Sequence, residues 1–124
     1  FIVYNYYVYE YNFEITRVVD GDTVDGRIDL GFHTYVFKRI RLDGINAPET
    51  RTRDLVEKEK GLFTKNWLID LVEKNDNFII ISHGVGKYGR VLAELFVKSG
   101  SRKKSVNKMM LDAGLVQPYS GGKR

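Results

Sequence analysis

The sequence predicts an α+β domain that is mainly β, a five-stranded antiparallel barrel with packed helices. Two observations carry that expectation. Three strand-like segments follow one another before any helix, which disfavours a doubly wound parallel sheet. One long helical segment then separates them from two further strand-like segments.

Residues 13–19 (FEITRVV) and 23–29 read as strands joined by a turn around Asp20-Gly21. Residues 34–42 (TYVFKRIRL) are rich in β-branched and aromatic types, as strands are. Alternation there puts Ile40 and Leu42 on one face and Arg39 and Arg41 on the other. If the apolar face is core, Arg41 points outward into solvent or a cleft. The spacing Asp54-x-x-Glu57 starts a helix that runs to about Lys74. Phe63, Trp67 and Leu71 recur every four residues, with Val56 further back, and Leu62, Leu68, Ile69 and Val72 widen the stripe. This apolar face is expected against a sheet. Residues 77–83 and 91–97 read as strands around a Gly-rich turn, and a short helix after Ser105 stops at Gly114. Three strands, a helix, two strands and a helix make the order of an OB-type barrel.

With 124 residues the chain is expected to be one domain, 1–124, large enough to bury a core. That core is expected over about 13–117, with 1–12 as an extra strand and 118–124 as a tail. Tyr4, Tyr6, Tyr7, Tyr9 and Tyr11 alternate with Val and Asn, which reads as an edge strand or oligomer contact rather than a base-stacking arm. A 43% hydrophobic content beside 29% charged residues excludes a disordered chain. No run of about 18 apolar residues is present, so no membrane-spanning helix is expected. The absence of cysteine excludes disulfides and thiolate zinc sites. Phe1 is preceded by no basic segment, so the expectation is a soluble chain, cytoplasmic or secreted after leader removal, with a monomer favoured. Lys and Arg number 20 against 16 Asp and Glu, a net charge of +4 that suits a polyanionic partner.

Three segments carry chemistry: Asp20-Gly21-Asp22-Thr23-Val24, then RLDGINAPET from Arg41 to Thr50, then Lys87-Tyr88-Gly89-Arg90. The first is not an EF-hand loop, because its sixth position is Asp25 and its twelfth Gly31. The literal GxGxxG at Gly84–Gly89 has no convincing βαβ context and reads as a turn. Arg102-Lys103-Lys104 reads as a solvated loop, and His33 and His83 have no partner spacing.

Taken in order, the three segments resemble the staphylococcal nuclease (thermonuclease) family from about Ile15 to Gly114. The resemblance implies an OB-type barrel and a Ca²⁺-dependent endonuclease acting on DNA, with RNA as a second substrate, leaving 3′-phosphate ends. It implies one Ca²⁺, with Mg²⁺ or Mn²⁺ as substitutes, held by Asp22, by Asn46 and by the Ala47 backbone carbonyl. Asp20 would then act on the metal through water. Arg41 and Arg90 match the arginines that grip the scissile phosphate, and Glu49 matches the glutamate beside the attacking water. Lys87 and Tyr88 match nucleotide-phosphate contacts. Asn46 departs from the usual aspartate, and the lost charge weakens attraction for a hard cation. Tyr119 alone does not map the family's pair of base-packing tyrosines. The rivals are a nucleic-acid or protein interaction module with weakened or lost catalysis, which Asn46 favours, and a purely structural barrel.

Overall fold

A computed structural model describes residues 9–86 and 89–119. The elements run β1 (Glu10–Asp20), β2 (Thr23–Asp29), β3 (Tyr35–Leu42), β4 (Ile45–Asn46), α1 (Leu55–Lys74), β5 (Phe78–Val85), β6 (Val91–Ser99), β7 (Arg102–Ser105), α2 (Val106–Asp112) and β8 (Gln117–Pro118). Antiparallel pairing links β3 to β2, β2 to β1, β1 to β5 and β5 to β6. A parallel pairing of β3 with β6 closes these five strands into a barrel. The closure is short, matching Ile40 with Val91, Arg41 with Leu92 and Leu42 with Ala93.

Alternation along the strands fills the barrel. Val24, Ile40, Leu42, Ile80 and Leu95 are fully buried, joined by Ile45 from β4, Leu68 from α1 and Val106 and Met110 from α2. β5 and β6 pair antiparallel, and Gly84 lies within β5. The Gly86 amide donates to the Arg90 carbonyl at 2.8 Å and the Gly89 amide to the Gly86 carbonyl at 3.1 Å, bonds of a hairpin connection.

Four expectations need correction. Glu10–Asn12 form no additional strand: they begin β1 and pair with β5 through Ile81, Ile80 and Ile79. Residues 1–8, which hold Tyr4, Tyr6 and Tyr7, lie outside the described residues. Arg102-Lys103-Lys104 is strand β7 on the edge of β6, where Lys103 meets Glu10 at 2.7 Å. The expected tail starts with β8, in which Gln117 and Pro118 pair with Asn46 and Ile45. The helix α1 also presents, over its N-terminal half, a different face from the one its bulkiest residues suggest. Val56 and Phe63 are more than 60% exposed, whereas Gly61, Thr64 and Leu68 are buried. Backbone approaches Gly61 too closely for a Cβ, so the N-terminal half of the stripe (Val56, Leu62, Phe63) is exposed, whereas Trp67, Leu68, Leu71 and Val72 pack on the core as expected.

The β2–β3 hairpin carries local strain. Phe32 and His33 both adopt left-handed φ, 55° and 59°, and Phe32 is 99% exposed, so no packing offsets the cost. Beside it, Arg39 donates from Nε and Nη2 to the two oxygens of Asp25, at 2.8 and 3.1 Å. These hydrogen bonds, aided by the charges of Arg39 and Arg17 and opposed by burial, hold the Asp25 carboxyl below its ordinary value of 3.8.

Phe32→Asn is expected to raise unfolding free energy by up to about 1 kcal/mol, because asparagine tolerates the left-handed region; urea titration with an unchanged m value measures it. Asp25→Asn tests the ion pair. The lowered folded value means that the Asp25 contribution is complete above the ordinary carboxylate value. It is lost as pH falls through the folded one. Thermal unfolding should show the variant slightly less stable than wild type at pH 6, with the gap closing in strong acid.

Candidate active site at the barrel closure

The turn from β1 to β2 delivers Asp22, and its carboxylate is hydrogen-bonded on both oxygens. Thr23 Oγ1 donates to Oδ1 at 2.9 Å, and the Ala47 amide donates to Oδ2 at 2.9 Å. The Asp22 carbonyl accepts from the Leu42 amide at 2.8 Å, tying this turn to the end of β3.

Arg41 leaves β3 on the outer face, as alternation requires, but the segment after β3 folds over it and leaves its side chain 11% exposed. Nη1 donates to the Leu42 carbonyl at 2.7 Å. Nη2 donates to Asn46 Oδ1 at 3.3 Å and lies 3.5 Å from Asp22 Oδ2. Tyr119 flanks the guanidinium, with its ring centre 5.6 Å from Cζ. That ring reaches the site because β8 pairs with β4 and the Tyr119 amide donates to the Gly44 carbonyl at 2.9 Å.

Glu49 sits on a segment clamped from the helix side. A Cβ at Gly61 would stand 2.6 Å from the Glu49 carbonyl oxygen and 2.7 Å from that of Pro48. Glu57 does not reach back to the helix cap; its Oε2 accepts from the Glu49 amide at 3.3 Å. The cap itself is Asp54, which accepts from Val56 and Glu57 amides. Asp20 joins through Thr50, whose hydroxyl donates to Asp20 Oδ1 at 2.9 Å. Gly21 between the two aspartates packs on Thr64 and Ala47, and Thr64 in turn donates to the Leu115 carbonyl.

Asp22, Arg41, Asn46 and Ala47 thus form one hydrogen-bonded cluster, with Asp20 and the Glu49 backbone tied to its flank. Arg90 immediately precedes β6, so the parallel register sets it level with Arg39, two positions before Arg41. Lys87 and Tyr88 fall outside the described residues. His83 does have a partner, one forty positions away that spacing does not reveal: Asp43, whose carboxylate accepts from the Gly44 amide and lies 2.8 Å from His83 Nδ1.

The oxygens gathered here suit a hard cation: a carboxylate at Asp22, an amide oxygen at Asn46 and the nearby Asp20 carboxylate. The anionic charge is low, and no group of three or more His, Cys, Asp or Glu able to hold a metal occurs among the described residues. Sequence reasoning missed Gly61, Thr64, the contact of Glu57 with the Glu49 amide and the position of Tyr119. Only Gly61 left a signal, as a poor helix former inside a helix.

The cluster at the barrel closure is built of guanidinium, carboxylate and amide groups, without thiol or imidazole. The family model for staphylococcal nuclease homologues matches residues 39–123, more than half of the chain, and the chain belongs to that family. The match includes Arg41, Asn46, Ala47, Glu49 and Arg90, while Asp20 and Asp22 precede it. No curated protein matches the chain. No helix among the described residues is long and apolar enough to cross a membrane.

Gly61→Ala tests the clamp. Overpacking costs about 1–3 kcal/mol, partly offset by about 1 kcal/mol of helix propensity. A net loss of about 1 kcal/mol in chemical denaturation, with displaced Glu49 and Thr50 amide resonances, is the expected result.

Proposed function

We propose that the protein is a metal-dependent endonuclease that hydrolyses phosphodiester bonds of DNA, and of RNA, with low sequence specificity, leaving 3′-phosphate ends. The observation that carries this reading is the cluster in which Arg41, Asp22 and Asn46 meet within 3.5 Å at the barrel closure. Membership of a nuclease-like family supports it.

In this reading Asp22, Asn46 and the Ala47 carbonyl hold one Ca²⁺, with Mg²⁺ or Mn²⁺ able to substitute, and Asp20 acts through water. When bound, such an ion polarises the phosphate and orients water. Glu49 takes a proton from the attacking water as its oxygen bonds to phosphorus. The P–O5′ bond breaks, and the departing 5′ oxygen takes up a proton. Arg41 and Arg90 donate to the phosphate oxygens, where charge builds up, and fixed guanidinium donors of this kind are worth about 10²–10³ in rate. Lys87 and Tyr88 contact flanking phosphate. Contacts confined to phosphate carry no base information, hence the low specificity.

The second reading, a binding module with weakened catalysis, rests on Asn46 replacing an anionic ligand by a neutral one. Digestion of single- and double-stranded DNA with Ca²⁺, Mg²⁺, Mn²⁺ or excess chelator decides between them. Metal-dependent cutting is expected, reduced about 10²–10⁴-fold in Glu49→Ala and needing less metal in Asn46→Asp. If neither wild type nor Asn46→Asp cuts with any metal, the binding module replaces the enzyme. Affinity for DNA that falls steeply with salt then separates that module from a purely structural barrel.

A further inference from the structure

We propose that the outer face of β3, from Tyr35 to Arg41, is a stacking tract for single-stranded nucleic acid that leads the chain to Arg41. The proposal deepens the nuclease reading and rests on it, because that reading makes Arg41 the end point of the tract.

Strand alternation puts Tyr35, Phe37, Arg39 and Arg41 on one face, about 6.8 Å apart from one to the next. Tyr35 is 40% and Phe37 70% exposed. The Arg39 side chain is 48% exposed, and Arg41 then enters the sheltered cluster. The open Phe37 ring, and the Tyr35 ring with one face covered by Arg27, are therefore followed by two guanidinium groups on the strand that carries the candidate catalytic arginine.

The neighbours brace these groups. The Arg27 guanidinium lies 4.0 Å over the Tyr35 ring, and Glu14 holds Arg27 at 3.3 Å. Asp25 fixes Arg39 through Nε and Nη2. β6 pairs with β3 only from Ile40 to Leu42. The β3 edge from Tyr35 to Arg39 thus has no sheet partner on that side among the described residues. The parallel register also sets Arg90 level with Arg39.

A single exposed aromatic on a protein surface means little. Aromatic rings at every second position, continued by arginines toward a phosphate site, match the recurring design for single strands: bases stack on rings while cations follow the backbone. Duplex DNA hides its base faces within the stack, so the occupant is single-stranded.

The test is binding in excess chelator, so that no cutting intervenes, read by fluorescence anisotropy. The probes are a labelled 12-mer oligothymidylate, with a thymidine dinucleotide as competitor, and a 12-bp duplex. Phe37→Ala and Tyr35→Ala are each expected to weaken 12-mer binding about tenfold and to shrink the preference for the 12-mer over the dinucleotide. Phe37→Trp should retain that preference. Phe63→Ala, an exposed aromatic on α1 remote in sequence from the tract, should leave it as in wild type. Wild-type binding that both alanine variants keep overturns the tract alone. Wild type that binds neither single-stranded probe overturns the tract, while the nuclease reading stands or falls separately on the digestion with metal. Self-association of wild type in sedimentation that Phe37→Ala abolishes, with 12-mer binding intact, assigns the face to a second copy and overturns the proposal.

Discussion

Three residue pairs between β3 and β6 hold the barrel closed, and the candidate site is built on that seam. The offset parallel register brings the end of β3 beside the start of β6, and so Arg41 near the segment that ends in Arg90. Everything else at the site leans on the seam. The Asp22 carbonyl is bonded to the Leu42 amide, and the Ala93 carbonyl accepts from Asp43. A residue lost from the pairing would loosen the platform on which the cluster stands.

On that platform, one carboxylate does most of the organising. Asp22 binds a hydroxyl, a backbone amide and the edge of a guanidinium from three separate stretches of chain. Its orientation is over-determined, which is how a rigid scaffold keeps a charged group aimed. Asn46 answers Arg41 with a neutral oxygen, so the arginine keeps more of its positive field than an aspartate there would leave it. A neutral side chain at position 46 thus lowers the local negative charge and leaves the guanidinium less compensated.

Much of the fold was legible because strands declare themselves by alternation. Ile40 and Leu42 inward, Arg39 and Arg41 outward, follows from the pleat alone. The C-terminal half of the helix packs as its apolar spacing says, but Val56, Leu62 and Phe63 do not, because residue size does not fix the buried face. Packing is governed by how near the opposing backbone comes, and at Gly61 it comes too near for any side chain. Two-residue strands such as β4 and β8 have no periodicity to read, and their pairing spans seventy positions. The same holds for Asp43 with His83, and for Tyr119 beside Arg41. The membership of the cluster could be expected from the order of its motifs. Its cover and its clamp could not, since these are contacts between residues whose own types are unremarkable.

The pairing of β8 with β4 also bears on timing. A ribosome releases a chain from its N-terminal end, and domains fold as their parts emerge. The five barrel strands all lie within residues 10–99, so every pairing that closes the barrel is encoded before Gln117, Pro118 and Tyr119. Until they appear, Asn46 has no strand partner and Arg41 lacks its flanking ring. Arg41 is thus placed by the barrel strands and framed by residues synthesised well after them.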